Sequence, residues 1–98
     1  MTMEIKKNAD TAVIEVAGRL DTTTAPALEK AINQDIGDAK NLTLDLKDVQ
    51  YISSAGLRVL LSAQKKMQKI GSMTVTNVCA EVMEVLEMTG FADILVIA

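Results

Sequence analysis

Val49-Gln50-Tyr51-Ile52-Ser53-Ser54-Ala55-Gly56-Leu57-Arg58-Val59-Leu60-Leu61 joins the clearest strand pattern in the sequence to its longest helical pattern. Two hydroxyls, Ser53 and Ser54, stand where the helix should begin, and small residues follow them. Serine is a favoured N-cap because its oxygen accepts a hydrogen bond from one of the amides that the first turn leaves unpaired. That end of a helix also carries partial positive charge, so added negative charge is tolerated there. A helix start with exposed serine hydroxyls therefore allows two readings: a cap, or a cap that is also a phosphorylation site. On this stretch alone the cap is the commoner role.

Projected at about 100° per residue, the helix lines up Leu60, Ala63, Met67 and Ile70, with Gly56 and Val59 beside them, as its core side. Lys65, Lys66 and Lys69 project outward, and Gly71 is the expected stop. Leu57 and Leu61 fall on a flank with Ser54 and Arg58, at helical spacing from the hydroxyl. The flank is either a packing shoulder, since an apolar arc of about 100° is ordinary, or a docking edge. Packing is the commoner of the two.

Before this helix, Leu42, Leu44 and Leu46 alternate with Thr43, Asp45 and Lys47, a strand whose apolar side should face helices. Residues 47–53 are expected as a loop with Val49 and Ile52 tucked in. Met3-Glu4-Ile5 and Thr11 to Val16 read as strands joined around Asn8-Ala9-Asp10, with Ala12, Ile14 and Val16 inward and Gly18 as the stop. The Thr22-Thr23-Thr24 run is the expected N-cap of a first helix. Pro26 suits its first turn, and Ala27, Leu28, Ala31 and Ile32 line its inner face up to Gly37-Asp38. Beyond Gly71, Met73 to Val78 predicts a strand. Glu81 to Met88 predicts a short helix on Val82, Val85 and Leu86, closed by Gly90, and Ile94 to Ile97 predicts a last strand. Strands alternating with helices imply an α/β fold with parallel pairs in the sheet.

Ninety-eight residues make one domain, 1–98, large enough for a core without disulfides or metal. Ten Lys and Arg against 13 Asp and Glu, with 2% aromatic residues, exclude the basic, aromatic-studded surface of a nucleic-acid binder. No apolar run approaches the roughly 18 residues of a membrane span, and the N-terminus enters a strand pattern without a signal peptide's apolar run. A lone Cys79 fits a reducing compartment, so a cytoplasmic location is expected. Cys79 otherwise reads as a small apolar residue and the six Met as core filler. The sequence holds no His, and Asp45 and Asp48 have no third group arranged with them. No catalytic set, metal site or cofactor is therefore expected, and a small enzyme is the least favoured class.

Tyr51 to Leu61 resembles the signature of STAS domains, specifically the bacterial anti-sigma-factor antagonists. Gly18-Arg19-Leu20-Asp21 with Thr22 to Thr24 resembles that family's other marker, a strand end running through Gly-x-Leu-Asp into the first helix. The resemblance implies a single STAS-like domain, a four- to five-stranded mixed sheet with helices packed mainly on one face. Family members often carry a further helix after the last strand; no segment here matches it, so the resemblance does not say what covers the edge or face on which that helix would lie.

The resemblance also implies a function. The Ser two places before the Gly-Leu pair, here Ser54, would be phosphorylated by a partner that is both anti-sigma factor and serine kinase, and a separate PP2C-type phosphatase would reverse it. These members have Asp before that Ser, where this sequence has Ser53, so Ser53 is the second choice. Asp21 would help bind the partner, or serve only as a turn or capping carboxylate; Thr22 and Thr23 would shape the same surface. The implied partner-binding set is Asp21, Thr22, Thr23, Ser53, Ser54, Gly56, Leu57, Arg58 and Leu61. A monomer or weak dimer without membrane insertion is expected. The alternative is a non-phosphorylated STAS subunit or scaffold of a transport or signalling complex.

Overall fold

Strands Thr2–Asn8 (β1) and Thr11–Leu20 (β2) pair antiparallel with Asn8 opposite Thr11, leaving Ala9-Asp10 as the turn between them. Ala9 takes φ 53°, the left-handed geometry of tight hairpins. In the computed structural model, which describes residues 1–98, five elements follow: Ala25–Lys30 (α1), Asn41–Ile52 (β3), Ser54–Ile70 (α2), Ser72–Thr76 (β4) and Ala80–Thr89 (α3).

The sheet has four strands in the order β1-β2-β3-β4, with β2/β3 and β3/β4 parallel. Each parallel step needs a crossover, and α1 and α2 supply them. Right-handed crossovers that step the same way put their helices on the same face. Burial bears this out: Ala12, Ile14, Val16, Leu42, Leu44, Leu46, Met73 and Val75 are buried, whereas Val13, Glu15, Thr43, Asp45, Thr74 and Thr76 between them are half-exposed. The helices complete one core with Leu28, Ile32 and Ile36, Leu60, Ala63 and Met67, and Val82 and Leu86. Burying each such Leu or Ile stabilises the fold by about 1.5–3 kcal/mol.

Several sequence expectations are corrected. First, β2 continues past Gly18, which takes φ 99° at a bulge, and Leu20 is buried beyond it. Second, residues 47–52 are strand, not loop. Glu15 pairs with Asp45 but Ala17 with Asp48, and Gly18 pairs with Val49 but Arg19 with Tyr51. β3 thus holds two more residues than β2 over this length, and its inward positions run 42, 44, 46, 49, 52. Two bulges break the alternation that would have revealed the strand.

Third, Ala25 rather than Ala27 is buried on α1, and the helix continues as a π turn, Ala31–Asp35. Lys66 does not project freely: its Nζ donates to the Ile32 carbonyl in that turn at 2.7 Å. Ile70 is 46% exposed, because the core stripe ends at Met67. Gly71 then closes α2 against β3's start; a Cβ there would overlap the Lys40 carbonyl oxygen, which accepts from the Ser72 N–H at 2.9 Å.

Fourth, the expected last strand is a single bridge, Val75 to Ile97. A 3-10 turn, Phe91–Asp93, follows Gly90, and the Leu95 N–H still bonds back to the Phe91 carbonyl. Only Val96 and Ala98 are left to bond to the Val75 N–H and carbonyl. Leu95 is buried, and Ile94 and Val96 are exposed.

Candidate functional site

The two marker segments meet where β2 ends and α2 begins. The Ser53 N–H donates to the Leu20 carbonyl at 2.9 Å. Gly56 sits directly on this junction: a Cβ there would lie 2.8 Å from Ile52 Cγ1, 2.9 Å from Leu20 Cγ and 3.0 Å from the Leu20 oxygen. Glycine is needed because the first turn of α2 rests on the end of β2 without a side chain between them. This contact sets the Asp21 loop beside the start of α2.

Ser53 is the N-cap, extended at φ −96°, ψ 176°, and its Oγ accepts from the Gly56 N–H at a long 3.4 Å. Ser54 is the first helical residue and is exposed. The two hydroxyls thus divide: one faces the helix's own amides, the other faces outward. Arg58, one turn further, is exposed as well, and Leu61 is half-buried. Leu57 is only 8% exposed and belongs to the core. The flank of two leucines expected beside Ser54 is therefore one core residue and one partly covered one, and Gly56 too is buried.

The Asp21 loop is pinned by its own side chains. Asp21 Oδ1 accepts from the Thr23 and Thr24 N–H groups at 3.0 and 3.1 Å. Thr24 Oγ1 accepts from the Asp21 N–H at 2.9 Å and donates its one proton to the Arg19 carbonyl at 2.7 Å, the shorter of its two contacts. So the Asp21 carboxylate closes the turn that leads into α1, and Thr24 occupies the cap position within the 22–24 run, although its hydroxyl bonds elsewhere and caps no amide of the helix. Partial burial pushes the Asp21 carboxyl up. The Thr24 and Thr23 amides, the Thr24 hydroxyl and Arg19 outweigh it and hold the group below the usual carboxylate value. Thr22 and Thr23 are exposed beside it.

Two residues of this surface were not foreseen. Arg19 lies over the Tyr51 ring, 4.1 Å from its centroid, and its Nε stands 3.6 Å from Asp21 Oδ2. Only the bulged register puts Arg19 opposite Tyr51, so no local signal could have paired them. A groove of about 220 Å³ also opens between the helices, with Thr22, Ala25 and Pro26 on one wall and Ala55, Arg58 and Val59 on the other. Elsewhere, no three His, Cys, Asp or Glu side chains come together to hold a metal ion. No helix is long and apolar enough to cross a membrane.

Sheet, crossover helices and this shared end define the class: a small α/β domain that displays the start of its central helix on a firm support. More narrowly, the chain belongs to the STAS domain family, whose model matches residues 2–98. It is 28% identical over 96 residues to the anti-sigma-B factor antagonist of Bacillus subtilis (strain 168), covering 97% of this chain and 88% of that protein. It is 31% identical over 98 residues to the anti-sigma-B factor antagonist of Listeria monocytogenes, covering 97% and 86%. Among solved structures it is similar to an anti-sigma factor antagonist from Mycobacterium paratuberculosis, with TM-score 0.87, 28% identity, and 98% and 83% of the two chains covered. Those relatives are named for a binding role, the antagonism of another regulator, rather than for a catalytic one.

Proposed function

We propose that this chain is an anti-sigma-factor antagonist: unmodified, it binds an anti-sigma factor through the Asp21 loop and the start of α2, and phosphorylation of Ser54 releases it. The observation that carries the reading is the division between the serines. Ser53 faces the helix amides, so Ser54 is left exposed to a visiting kinase. The partner's ATP would give its γ-phosphoryl group to the Ser54 oxygen, with loss of the hydroxyl proton and release of ADP. A PP2C-type phosphatase would hydrolyse the ester and restore the binding form. The setting is cytoplasmic, in keeping with the free thiol of Cys79.

Phosphate brings about −1.5 to −2 charges and a large hydration shell. At the first residue of a helix it is electrostatically welcome, so the fold survives. Across an interface the same group must be desolvated and meets any acidic partner residue as a like charge, so binding fails. The test is recovery of the partner from the native host, phosphosite mass spectrometry of the recovered chain, and calorimetric titration of the partner with wild type and Ser54→Asp. Ser54→Asp should weaken binding by about tenfold or more while moving the melting temperature by no more than about 4 °C. Undiminished affinity, or a phosphate found elsewhere than Ser54, overturns the reading.

A further inference from the structure

We propose that Arg58 is the residue through which phosphate on Ser54 is read. While Ser54 is free, the Arg58 guanidinium stands at the mouth of the α1–α2 groove and takes a carboxylate of the partner; once Ser54 is phosphorylated, the guanidinium turns to the phosphate and leaves the groove. This rests on the Ser54 phosphorylation set out above and adds the side chain that couples it to docking.

Arg58 lies four residues after Ser54 on α2, so the two share one face of the helix. An anion placed four residues before a cation is the favoured orientation of such a pair. The planar guanidinium matches phosphate oxygens with two parallel N–H bonds, which a lysine cannot do. Arg58 is also uncommitted: it is exposed and pairs with no carboxylate, although Glu29 lines the same groove. The other cations near this end are engaged or distant. Arg19 is held over Tyr51 and beside Asp21, and Lys66 donates to the Ile32 carbonyl. Lys65 lies roughly 16 Å along the helix axis from Ser54.

The groove beneath Arg58 has small apolar walls, Ala25, Ala55 and Val59, and a volume of about 220 Å³. A cavity of about 150 Å³ already holds a benzene ring, so one aliphatic or aromatic side chain fits. The occupant with matching chemistry is therefore an apolar side chain of the partner with a carboxylate close by in its sequence. The groove is continuous with the docking surface proposed above, since Thr22 and Ala55 on its walls adjoin Asp21 and Ser54.

The test places phosphoserine at position 54 of the full chain by amber suppression, with Arg58 and with Arg58→Gln, and follows the second phosphate ionisation by phosphorus NMR. With Arg58 present that ionisation should fall a few tenths of a pH unit lower than in Arg58→Gln, and the difference should vanish in 1 M salt. Equal values at low salt overturn the proposal. Calorimetry with the recovered anti-sigma factor supplies a second arm. Arg58→Gln should weaken the unmodified complex about tenfold or more, and phosphorylation should then cost it a smaller factor than it costs wild type. Equal factors refute the exchange of partners. An anti-sigma factor that binds both wild-type forms alike sinks the Ser54 switch itself, while the phosphate titration still decides whether Arg58 pairs.

Discussion

Replacing Gly56 by alanine tests the joint that holds the site together. The added methyl would stand 2.8 Å from Ile52 Cγ1, 2.9 Å from Leu20 Cγ and 3.0 Å from the Leu20 carbonyl oxygen. All three atoms are hemmed in, because Leu20 and Ile52 are both buried and that oxygen already accepts from the Ser53 N–H. Overpacking of this kind costs about 1–3 kcal/mol. Against it stands alanine's advantage in a helix, at most about 1 kcal/mol and less in a first turn. The clash should win, leaving Gly56→Ala about 1–2 kcal/mol less stable, or roughly 5–15 °C lower in melting temperature for a domain of this size. Urea denaturation followed by circular dichroism reads the difference, with Ser62→Ala at an exposed position of the same helix as the measure of propensity alone. A Gly56→Ala protein as stable as wild type would refute the claim that α2 rests on β2 without room for a methyl.

Ser53→Ala should lose about 0.5–1 kcal/mol, the low end for a cap because the bond is long, whereas Ser54→Ala should stay within about 0.5 kcal/mol; urea midpoints compare them. The Asp21 carboxyl titrates below its ordinary value of 3.8, so its stabilising effect is fully present above that pH and fades as the pH falls through its lower folded value. The stability gap between wild type and Asp21→Asn should therefore be wide at pH 6 and close only as the pH falls below 3.8; a gap that holds steady would count against the Thr23 and Thr24 bonds as its source. Gln64 is 4% exposed with an Oε1 that no protein donor reaches. Since an unsatisfied buried acceptor costs about 1–3 kcal/mol, Gln64→Met should melt at or above the wild-type temperature, and a lower melting temperature would show that the amide is satisfied after all.

What could be read from sequence depended on how far the signal travels along the chain. The ends of α2 were legible because a capping serine and a stopping glycine act within a few residues, and Leu42 to Leu46 because nothing interrupts their alternation. The second half of β3 was not, since a bulge erases the period of two that marks a strand. The N-cap position of α1 was legible in the threonine run, since Thr24 holds it, but only the fold shows that the Thr24 hydroxyl is committed to the Arg19 carbonyl and makes no cap bond. Ile70 defeated the helical projection for a different reason. An angle around the axis does not say where the supporting sheet begins or ends beneath it. At the site, the outward hydroxyl of Ser54 and the position of Asp21 were within reach of the motifs; the Arg19–Tyr51 stack and the inter-helix groove are tertiary and were not.

The two surplus residues of β3 make its length, more than its composition, the thing to guard. Changing the exposed Lys47 or Gln50 for another polar residue leaves the count intact. Deleting either one takes out a bulge: plain alternation would still turn Val49 and Ile52 inward, but the strand would lose its local bend and about 3.3 Å of reach, and the start of α2 would be re-aimed. The segment works as an index pin, and anyone grafting this helix start onto another sheet would have to carry the pin along with it.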